Sequence, residues 1–314
     1  MSTAVDAGTG EGKSPRIHAV VVTFRCELDR LAVQFARLLS QQVERIVWVD
    51  NGSGVELQPW LEQWPADRVH PVWLAQNHGI GYAQNRGIEW ALEHGATHVL
   101  LMDHDSLPGD GMVGELMKVL HAQPDAAAVG PHYADPRREG HRTPFFRVEG
   151  WGLRWLDCHD RSRVWEVDHV IASGCLMPAA ALRQVGLLQE DYFIDWVDVE
   201  WCLRARDRGF KIYGACGADL EHRLGDQVAW VLGREVPLHA PWRHYYQSRN
   251  VVLMLRSTGA DFPTKLHHAV QQLKRLVVFS VFVPGRGKYF KMWMKGLLHG
   301  VLGRRGRVVG PGSV

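Results

Sequence analysis

Thr97 to Ser106 reads THVLLMDHDS, and the architecture of the chain can be worked outward from this stretch. Val99, Leu100, Leu101 and Met102 form a short continuous apolar run, the pattern of a strand buried on both faces of an α/β sheet. The run stops at Asp103-His104-Asp105. In open α/β sheets ligands bind at the carboxyl ends of strands, and two hard oxygen donors one residue apart suit a divalent cation that also grips a diphosphate. The same Asp-His-Asp-Ser would also serve as a helix cap or an Asx turn, so this pattern alone leaves both readings open.

Upstream, Ile17 to Phe24 (IHAVVVTF) is predicted as a buried strand and Leu28 to Gln42 as an amphipathic helix with Leu31, Phe35, Leu38 and Leu39 on one face. Arg45 to Val49 is a second strand, ending in the turn residues Asp50-Asn51-Gly52-Ser53. Val69 to Ala75 is a third, running into Asn77-His78-Gly79-Ile80-Gly81, after which Tyr82 to His94 has helical spacing. Past the central strand come a helix near Gly111 to Ala122 and an apolar stretch at Ala126 to Gly130. Alternating strands and helices predict an α/β fold, a largely parallel sheet covered on both faces and joined by right-handed crossovers. Its strand ends finish on Thr23, Asp50-Asn51, Asn77 and Asp103-Asp105. Each alone is an ordinary turn, but a crevice lined by all of them suits a nucleotide, with Asp50 accepting from a base or ribose. Gly79-Ile80-Gly81 is a weak dinucleotide signal, because Gln84 replaces the third glycine and the motif follows the wrong strand.

From Pro131 the periodicity changes. Arg137 to Trp155 is rich in turn residues and aromatics, and Arg163 to Met177 alternates like mixed or antiparallel strands. Asp195 to Arg208 is predicted as a helix with Asp195 as N-cap and Gly209 as its C′ residue, before a strand at Phe210 to Tyr213. His239 to Ser257, Thr264 to Phe282 and Tyr289 to Leu302 have helical patterns. Asp195 and Asp198 would share one face of their helix and could offer a general base, although acids in a first turn also simply complement the helix dipole. His222, in EHRLGD, could complete a metal shell or be structural.

The 314 residues, 46% hydrophobic and 22% charged, are those of a globular enzyme, and a formal net charge of +2 gives no reason to expect a nucleic-acid partner. Five cysteines are scattered with no C-x-x-C spacing, which predicts neither a zinc site nor a disulfide framework and points to a reducing compartment. The first fifteen residues are rich in Gly, Ser and Thr, predicting a disordered start without a signal peptide. The longest apolar run, around Leu276 to Pro284, is about half of a membrane span.

Six ordered stretches carry a resemblance: VVVTFR at Val20 to Arg25, VDNGS at Val49 to Ser53, NHGIGYAQNRGIEWAL at Asn77 to Leu92, LLMDHDS at Leu100 to Ser106, FIDWVDVEWCLRA at Phe193 to Ala205 and HRLGD at His222 to Asp226. Over residues 17 to 256 the chain resembles glycosyltransferase family 2, most of all the bacterial rhamnosyltransferase branch that builds O-antigen and other surface polysaccharides. The resemblance implies a GT-A fold, a nucleoside-diphosphate sugar donor, dTDP-rhamnose in that branch, an inverting displacement and a divalent cation, Mg²⁺ or Mn²⁺. It implies that Thr23, Asp50 and Asn77 line the nucleotide pocket, with Arg86 a further candidate and Arg25, Asn51 and His104 beside them in the same motifs. Asp103 and Asp105 match the metal and diphosphate carboxylates, Asp198 the base aspartate, and His222 a histidine that joins the metal. The acid preceding the base is replaced by Val197, which leaves open whether Asp195 supplements Asp198. On this reading residues 16–258 form the GT-A domain, with a nucleotide-binding half (16–130) and an acceptor half (131–258), and 259–314 a basic helical extension.

No acidic residue follows Asp261, whereas ten lysines and arginines do. The amphipathic helices there suit either the interface of an anionic inner leaflet bearing a lipid-linked acceptor, or a homodimer or packed core face. The expected location is cytoplasmic, with peripheral contact on the inner membrane in the first case. Two other functions share this architecture, a nucleotidyltransferase and a non-catalytic nucleotide-sugar binding protein. The first should carry a Gly-rich basic loop after its first strand, where Thr23 to Glu27 has no glycine, and the second would have no use for the second acidic cluster.

Overall fold

The computed structural model describes residues 14–137, 142–223, 227–231 and 234–308, with backbone only for 227–231 and 234–238. The disorder expected for the first fifteen residues, up to residue 13, and Leu224 to Asp226 of the HRLGD stretch lie outside the described residues. The first half alternates β1 (Ile17–Thr23), α1 (Leu28–Leu39), β2 (Val43–Asp50), the single turn α2 (Gln58–Leu61), β3 (Val69–Trp73), α3 (Ile80–Glu93), β4 (His98–Asp103), the short β5 (Leu107–Pro108), α4 (Met112–Ala122) and β6 (Ala126–Ala134). A hairpin follows, β7 (Phe145–Glu149) and β8 (Gly152–Leu156), then β9 (Val164–Val167), β10 (Cys175–Pro178), α5 (Ala179–Val185), a 3₁₀ turn (Glu190–Tyr192), α6 (Val197–Asp207) and β11 (Lys211–Glu221). The chain ends with the hairpin β12 (Gln227–Val231) and β13 (Arg234–Leu238) and the helices α7 (Pro241–Ser257), α8 (Phe262–Val281) and α9 (Arg286–Val301).

Nine strands make one mixed sheet in the order β3-β2-β1-β4-β10-β6-β11-β5, with β9 paired to β11. The pairs β1–β2, β1–β4, β2–β3 and β6–β11 are parallel, while β10 runs antiparallel between β4 and β6. All seven residues of β1 are buried because both faces are covered. Val20, Val22, Val49 and Leu101 point into a core shared with α3, α5 and α6, and Val21, Trp48, Leu100 and Met102 into one shared with α1 and α4. Gly87 lets α3 lie close on the sheet, since a Cβ there would strike Val20 and Val49. Truncating a fully buried residue such as Leu101 to alanine would cost about 2–5 kcal/mol.

The register positions the site. Thr23 pairs with Asp50 across β1 and β2, and Val22 with Asp103 across β1 and β4, so three strands finish at one level with their polar residues side by side. The antiparallel entry of β10 brings Ser173 and Gly174 to the same edge, where Gly174 N donates to Leu101 O.

Two expectations are corrected. Asp195 is not the N-cap of α6; Trp196 occupies that position with φ 70°, and Asp195 lies outside the helix with φ 64°. Asp195 and Asp198 therefore share no helix face. The cysteines also differ from expectation, because Cys158 and Cys216 form a disulfide while Cys26, Cys175 and Cys202 are free. A separation of 58 residues carries no motif; the pair meets because β9, just beyond Cys158, lies antiparallel on the strand that holds Cys216.

Residues 259–308 fold back on the domain. Alpha-helix α9 lies along α7, where Gly296 and Gly300 admit the backbone of Tyr245 and Arg249, and Arg249 Nη1 donates to Gly306 O at 2.5 Å. Among the described residues no helix is long and apolar enough to cross a membrane.

Candidate active site

At the end of β4 the carboxylates of Asp103 and Asp105 meet His222, which β11 delivers from 116 residues away from Ser106; one ligand atom of each lies within 4.8 Å of the others. His222 Nδ1 is 2.7 Å from Ser106 Oγ and 3.5 Å from Asp105 Oδ1, and Ser106 Oγ in turn accepts from Ser173 Oγ at 2.7 Å. Gln34 of α1 fixes the turn itself, its Nε2 donating to the carbonyls of Asp103 and Ser106 at 2.7 and 2.5 Å. Burial, and then the neighbouring charge of Asp105, push the Asp103 carboxyl up. Burial acts on Asp105 in the same sense, but the hydrogen bond and charge of His222 outweigh it and hold Asp105 below the usual carboxylate range. His222 is raised: burial opposes its charge, and the two aspartates overcome that opposition. A crowded acid pair with one imidazole is a donor set that a hard divalent cation would neutralise. His104 sits in the turn between the carboxylates, its charge acting favourably on both.

Asp198 is in the first turn of α6. Its Oδ1 accepts from Val199 N at 2.8 Å and its Oδ2 from Ala172 N at 3.3 Å, which fixes the carboxylate. Burial, partly offset by these two bonds and assisted by the charge of Asp103, pushes its pKa up to about 6. A carboxylate near neutrality suits proton abstraction.

The loop before α6 is under backbone strain. Phe193, Asp195 and Trp196 all have positive φ, at 66°, 64° and 70°, a region that non-glycine residues occupy only when their surroundings compel it. Helix α7 supplies that compulsion: Asn250 Nδ2 reaches the carbonyls of Tyr192, Ile194 and Asp195 at 2.9, 2.8 and 3.0 Å, and Arg249 Nη2 those of Asp191 and Tyr192 at 3.0 and 2.9 Å. The Asp195 carboxylate is itself held by Arg243. Sequence reasoning missed Arg243, Arg249 and Asn250, since a polar residue in a helix reveals nothing until the helix is known to be buried.

The nucleotide-side candidates form one network. Asp50 Oδ1 accepts from Thr23 Oγ1 at 3.1 Å and Ser53 Oγ at 2.5 Å, and Oδ2 from Ser53 N at 2.9 Å; Trp48 Nε1 donates to Thr23 Oγ1 at 2.9 Å. Arg25, at φ 51°, donates its N–H to Ser53 Oγ at 2.8 Å. Asn51 and Asn77 brace each other at 3.3 Å, and the Asn77 carboxamide accepts from Gly79 N at 2.9 Å. Arg307, near the end of the described chain, donates to Asn77 O at 3.1 Å, a contact with no signal in the sequence. Arg86 is turned to Glu89 and Glu190, at 2.9 and 3.0 Å, and stands over Tyr82.

The family model described as Glycosyl transferase family 2 matches residues 19–186, more than half of the chain. The chain is 29% identical over 291 residues to the dTDP-rhamnosyl transferase RfbF of Shigella flexneri, covering 92% of this chain and 97% of that protein. It is 22% identical to the low-salt glycan biosynthesis hexosyltransferase Agl10 of Haloferax volcanii, covering 92% of each. Among solved structures, S. aureus TarS 1-349 in complex with UDP-GlcNAc superposes with a TM-score of 0.61 at 14% identity, over 92% of this chain and 81% of that one. GalNAc-T7 with UDP, GalNAc and Mn²⁺ gives 0.55 at 10% identity, over 92% of this chain and 57% of that one. The fold is therefore of the GT-A type, and the nucleotidyltransferase and non-catalytic alternatives give way. With a family match spanning both the nucleotide-side network and the Asp103–Asp105 turn, the chain belongs to glycosyl transferase family 2 and is a glycosyltransferase.

Proposed function

We propose that the chain moves L-rhamnose from dTDP-rhamnose, with inversion, onto a glycan or lipid-linked acceptor of a bacterial surface polysaccharide, in the cytoplasm. The observation that carries the mechanism is the adjacency of the Asp103–Asp105–His222 cluster to Asp198 through two consecutive residues, Ala172 N donating to Asp198 Oδ2 at 3.3 Å and Ser173 Oγ accepting from Asp103 N at 3.2 Å. Asp103, Asp105 and His222 would hold Mg²⁺ or Mn²⁺, which when bound neutralises charge on the departing diphosphate. Thr23, Asp50, Asn51 and Asn77 shape the pocket for the base and ribose, with Arg25 and His104 at its phosphate side and Arg86 at its rim. Asp198 accepts the proton of the acceptor hydroxyl as that oxygen attacks the anomeric carbon. Asp195, held by Arg243, orients the segment that carries the base. The choice of rhamnose is supported by the relative from Shigella flexneri, a dTDP-rhamnosyl transferase.

A thermal-shift screen against dTDP, UDP and GDP and their sugars, each with Mn²⁺, Mg²⁺ or EDTA, tests this reading, because a ligand that binds only the native state raises the melting temperature. Stabilisation by dTDP and dTDP-rhamnose that EDTA abolishes is expected. A preference for UDP or GDP would discard rhamnose, and silence toward every nucleotide would overturn the whole proposal.

A further inference from the structure

Helix α8 packs the wrong way round for a core helix. Its buried residues are Thr264, His268, Gln272 and Phe279, three of them polar, whereas Phe262, Leu266, Val270, Leu273, Val277 and Val281 are exposed. At about 100° per residue the exposed set falls within an arc of roughly 100°, on the side opposite the buried set. Leu273 and Val277 keep 56% and 50% of their surface in solvent, more than an isolated surface apolar residue would need to explain it, because here they form a continuous stripe. Helix α9 repeats the arrangement: Met292, Gly296 and His299 face inward, and Phe290, Met294, Leu298 and Val301 are exposed.

The charges decide what covers these stripes. Lys274 on α8 and Lys288 and Lys291 on α9 are exposed, and nothing acidic follows Asp261 in the chain. A second copy docked through these faces would bring two sets of cations together with no acid of the same segment to neutralise them. An anionic lipid surface supplies both the apolar layer and the negative charge. We propose that α8 and α9 seat the enzyme on an anionic bilayer, with the apolar stripes entering the boundary between headgroups and acyl chains and the flanking lysines at the phosphates.

The inner side of α8 then faces the chemistry. His268 stands edge-on to Trp196, ring centroids 5.2 Å apart, and Trp196 is the cap residue two positions before Asp198. That contact sets α8 and the Trp196 ring between the membrane face and the segment that carries Asp198. An acceptor saccharide carried on a lipid in that surface could reach Asp198 without leaving it. This last step, which assigns a lipid-linked acceptor, rests on the proposed transferase reading; the membrane contact does not.

The test uses the full-length chain, because a cut near Gly259 would remove α9 from its seat on α7. Cosedimentation is measured with vesicles of phosphatidylcholine alone and with added phosphatidylglycerol, for the wild type and for Leu266→Gln/Leu273→Gln/Val277→Gln. Binding is expected only to the phosphatidylglycerol vesicles, falling with salt, and at least about tenfold weaker in the triple variant. Lys274→Gln/Lys291→Gln, which leaves the apolar stripe intact, should weaken it about fivefold per charge removed. Nucleotide-induced thermal shift should be unchanged in all variants, so failed vesicle binding beside normal nucleotide binding rejects the membrane face and spares the transferase. Absence of binding, or binding indifferent to the triple variant, would overturn the proposal. So would a dimer in light scattering that the triple variant dissociates, which would assign the face to a second copy.

Discussion

Arg243 Nη2 donates to Asp195 Oδ1 at 2.8 Å and its Nε to Oδ2 at 3.2 Å, so one guanidinium takes both oxygens of the acid three residues before Asp198, the proposed base. Burial alone would raise the Asp195 carboxyl; the charge and hydrogen bonds of Arg243 hold it below the usual range. A carboxylate held in that way is a poor proton acceptor and a good brace. Asp195→Ala should therefore destabilise the fold by about 1–3 kcal/mol, read from the urea midpoint, because it removes the carboxylate that neutralises a largely buried guanidinium and accepts two of its hydrogen bonds. Its loss of turnover should be far smaller than that of Asp198→Asn. Equal losses at unchanged stability would make Asp195 the base.

Asn250 is expected to act on catalysis without touching substrate. Its carboxamide satisfies carbonyls of the Tyr192–Asp195 segment, whose positive φ angles cost of order 1–3 kcal/mol each when unsupported. In Asn250→Leu that loop should relax and carry the start of α6 with it. Turnover should drop at least tenfold, and donor affinity by less, since the loop meets the nucleotide-side segment through Phe193, whose carbonyl accepts from Ile80 N at 2.7 Å. Parallel losses in both would mean that the loop also shapes the donor pocket.

For Asp198→Asn, loss of general-base assistance predicts a fall in transfer of about 10²–10⁴ with donor binding kept. The pKa of about 6 adds a pH signature. The base must be ionised, so wild-type kcat/KM should rise with pH through about 6 and level off above it. The stability sign is opposite. The folded state holds this proton more tightly than the unfolded chain, so the contribution is favourable when protonated and is lost as pH rises from 3.8 through about 6. Wild-type stability in EDTA should therefore fall by up to about 3 kcal/mol across that window, and Asp198→Asn should lose that pH dependence, while its Nδ2, unable to accept from Val199 N or Ala172 N, lowers stability at every pH. A variant with the same pH dependence of stability as wild type would count against the buried, raised carboxyl.

What the sequence made legible was whatever repeats or runs. The apolar runs of β1 and β4 and the helical spacing after Gly79 announced the sheet and its register, and the strand-end polar residues came out side by side as Thr23, Asp50 and Asp103 do. The order of motifs led to Asp198 and His222, which no local spacing would have joined to Asp103. Illegible were features created by tertiary contact alone. The antiparallel insertion of β10, the disulfide across 58 residues and the carbonyl-binding role of Asn250 all depend on which surfaces meet. Asp195 looked like a helix cap because its residue type favours one, and Arg243 overrode that preference.

Removing a member of the Asp103–Asp105–His222 cluster should separate binding from chemistry. Asp105 is kept ionised by His222, and Ser106 and Ser173 orient that histidine. Asp105→Ala should abolish the metal-dependent part of donor binding, leaving the same weak affinity with Mn²⁺ as with EDTA. His222→Ala should weaken metal affinity by about 10–100-fold, the range for loss of a ligand's support or of one donor among several. Wild-type donor affinity that is identical with and without metal would argue against a cation at this cluster.

The Cys158–Cys216 bond ties the segment after β8 to β11 at the register shift between Ala215 and Asp219, six residues before His222. Closing a loop of 58 residues restricts the unfolded chain by about 4 kcal/mol in the chain-entropy account, with 2–4 kcal/mol typical of measured bonds. Reduction, or Cys158→Ser/Cys216→Ser, should therefore lower the urea midpoint by an amount equivalent to about 2–4 kcal/mol, and the double variant should ignore the reductant. The strand pairs β6–β11 and β9–β11 survive without the bond, so His222 should stay in place and nucleotide-dependent stabilisation should persist. Non-reducing peptide mapping should recover Cys158 and Cys216 as one linked pair, with Cys26, Cys175 and Cys202 free. Five alkylatable thiols in protein purified and then denatured without reductant would show that the two sulfurs meet but do not bond.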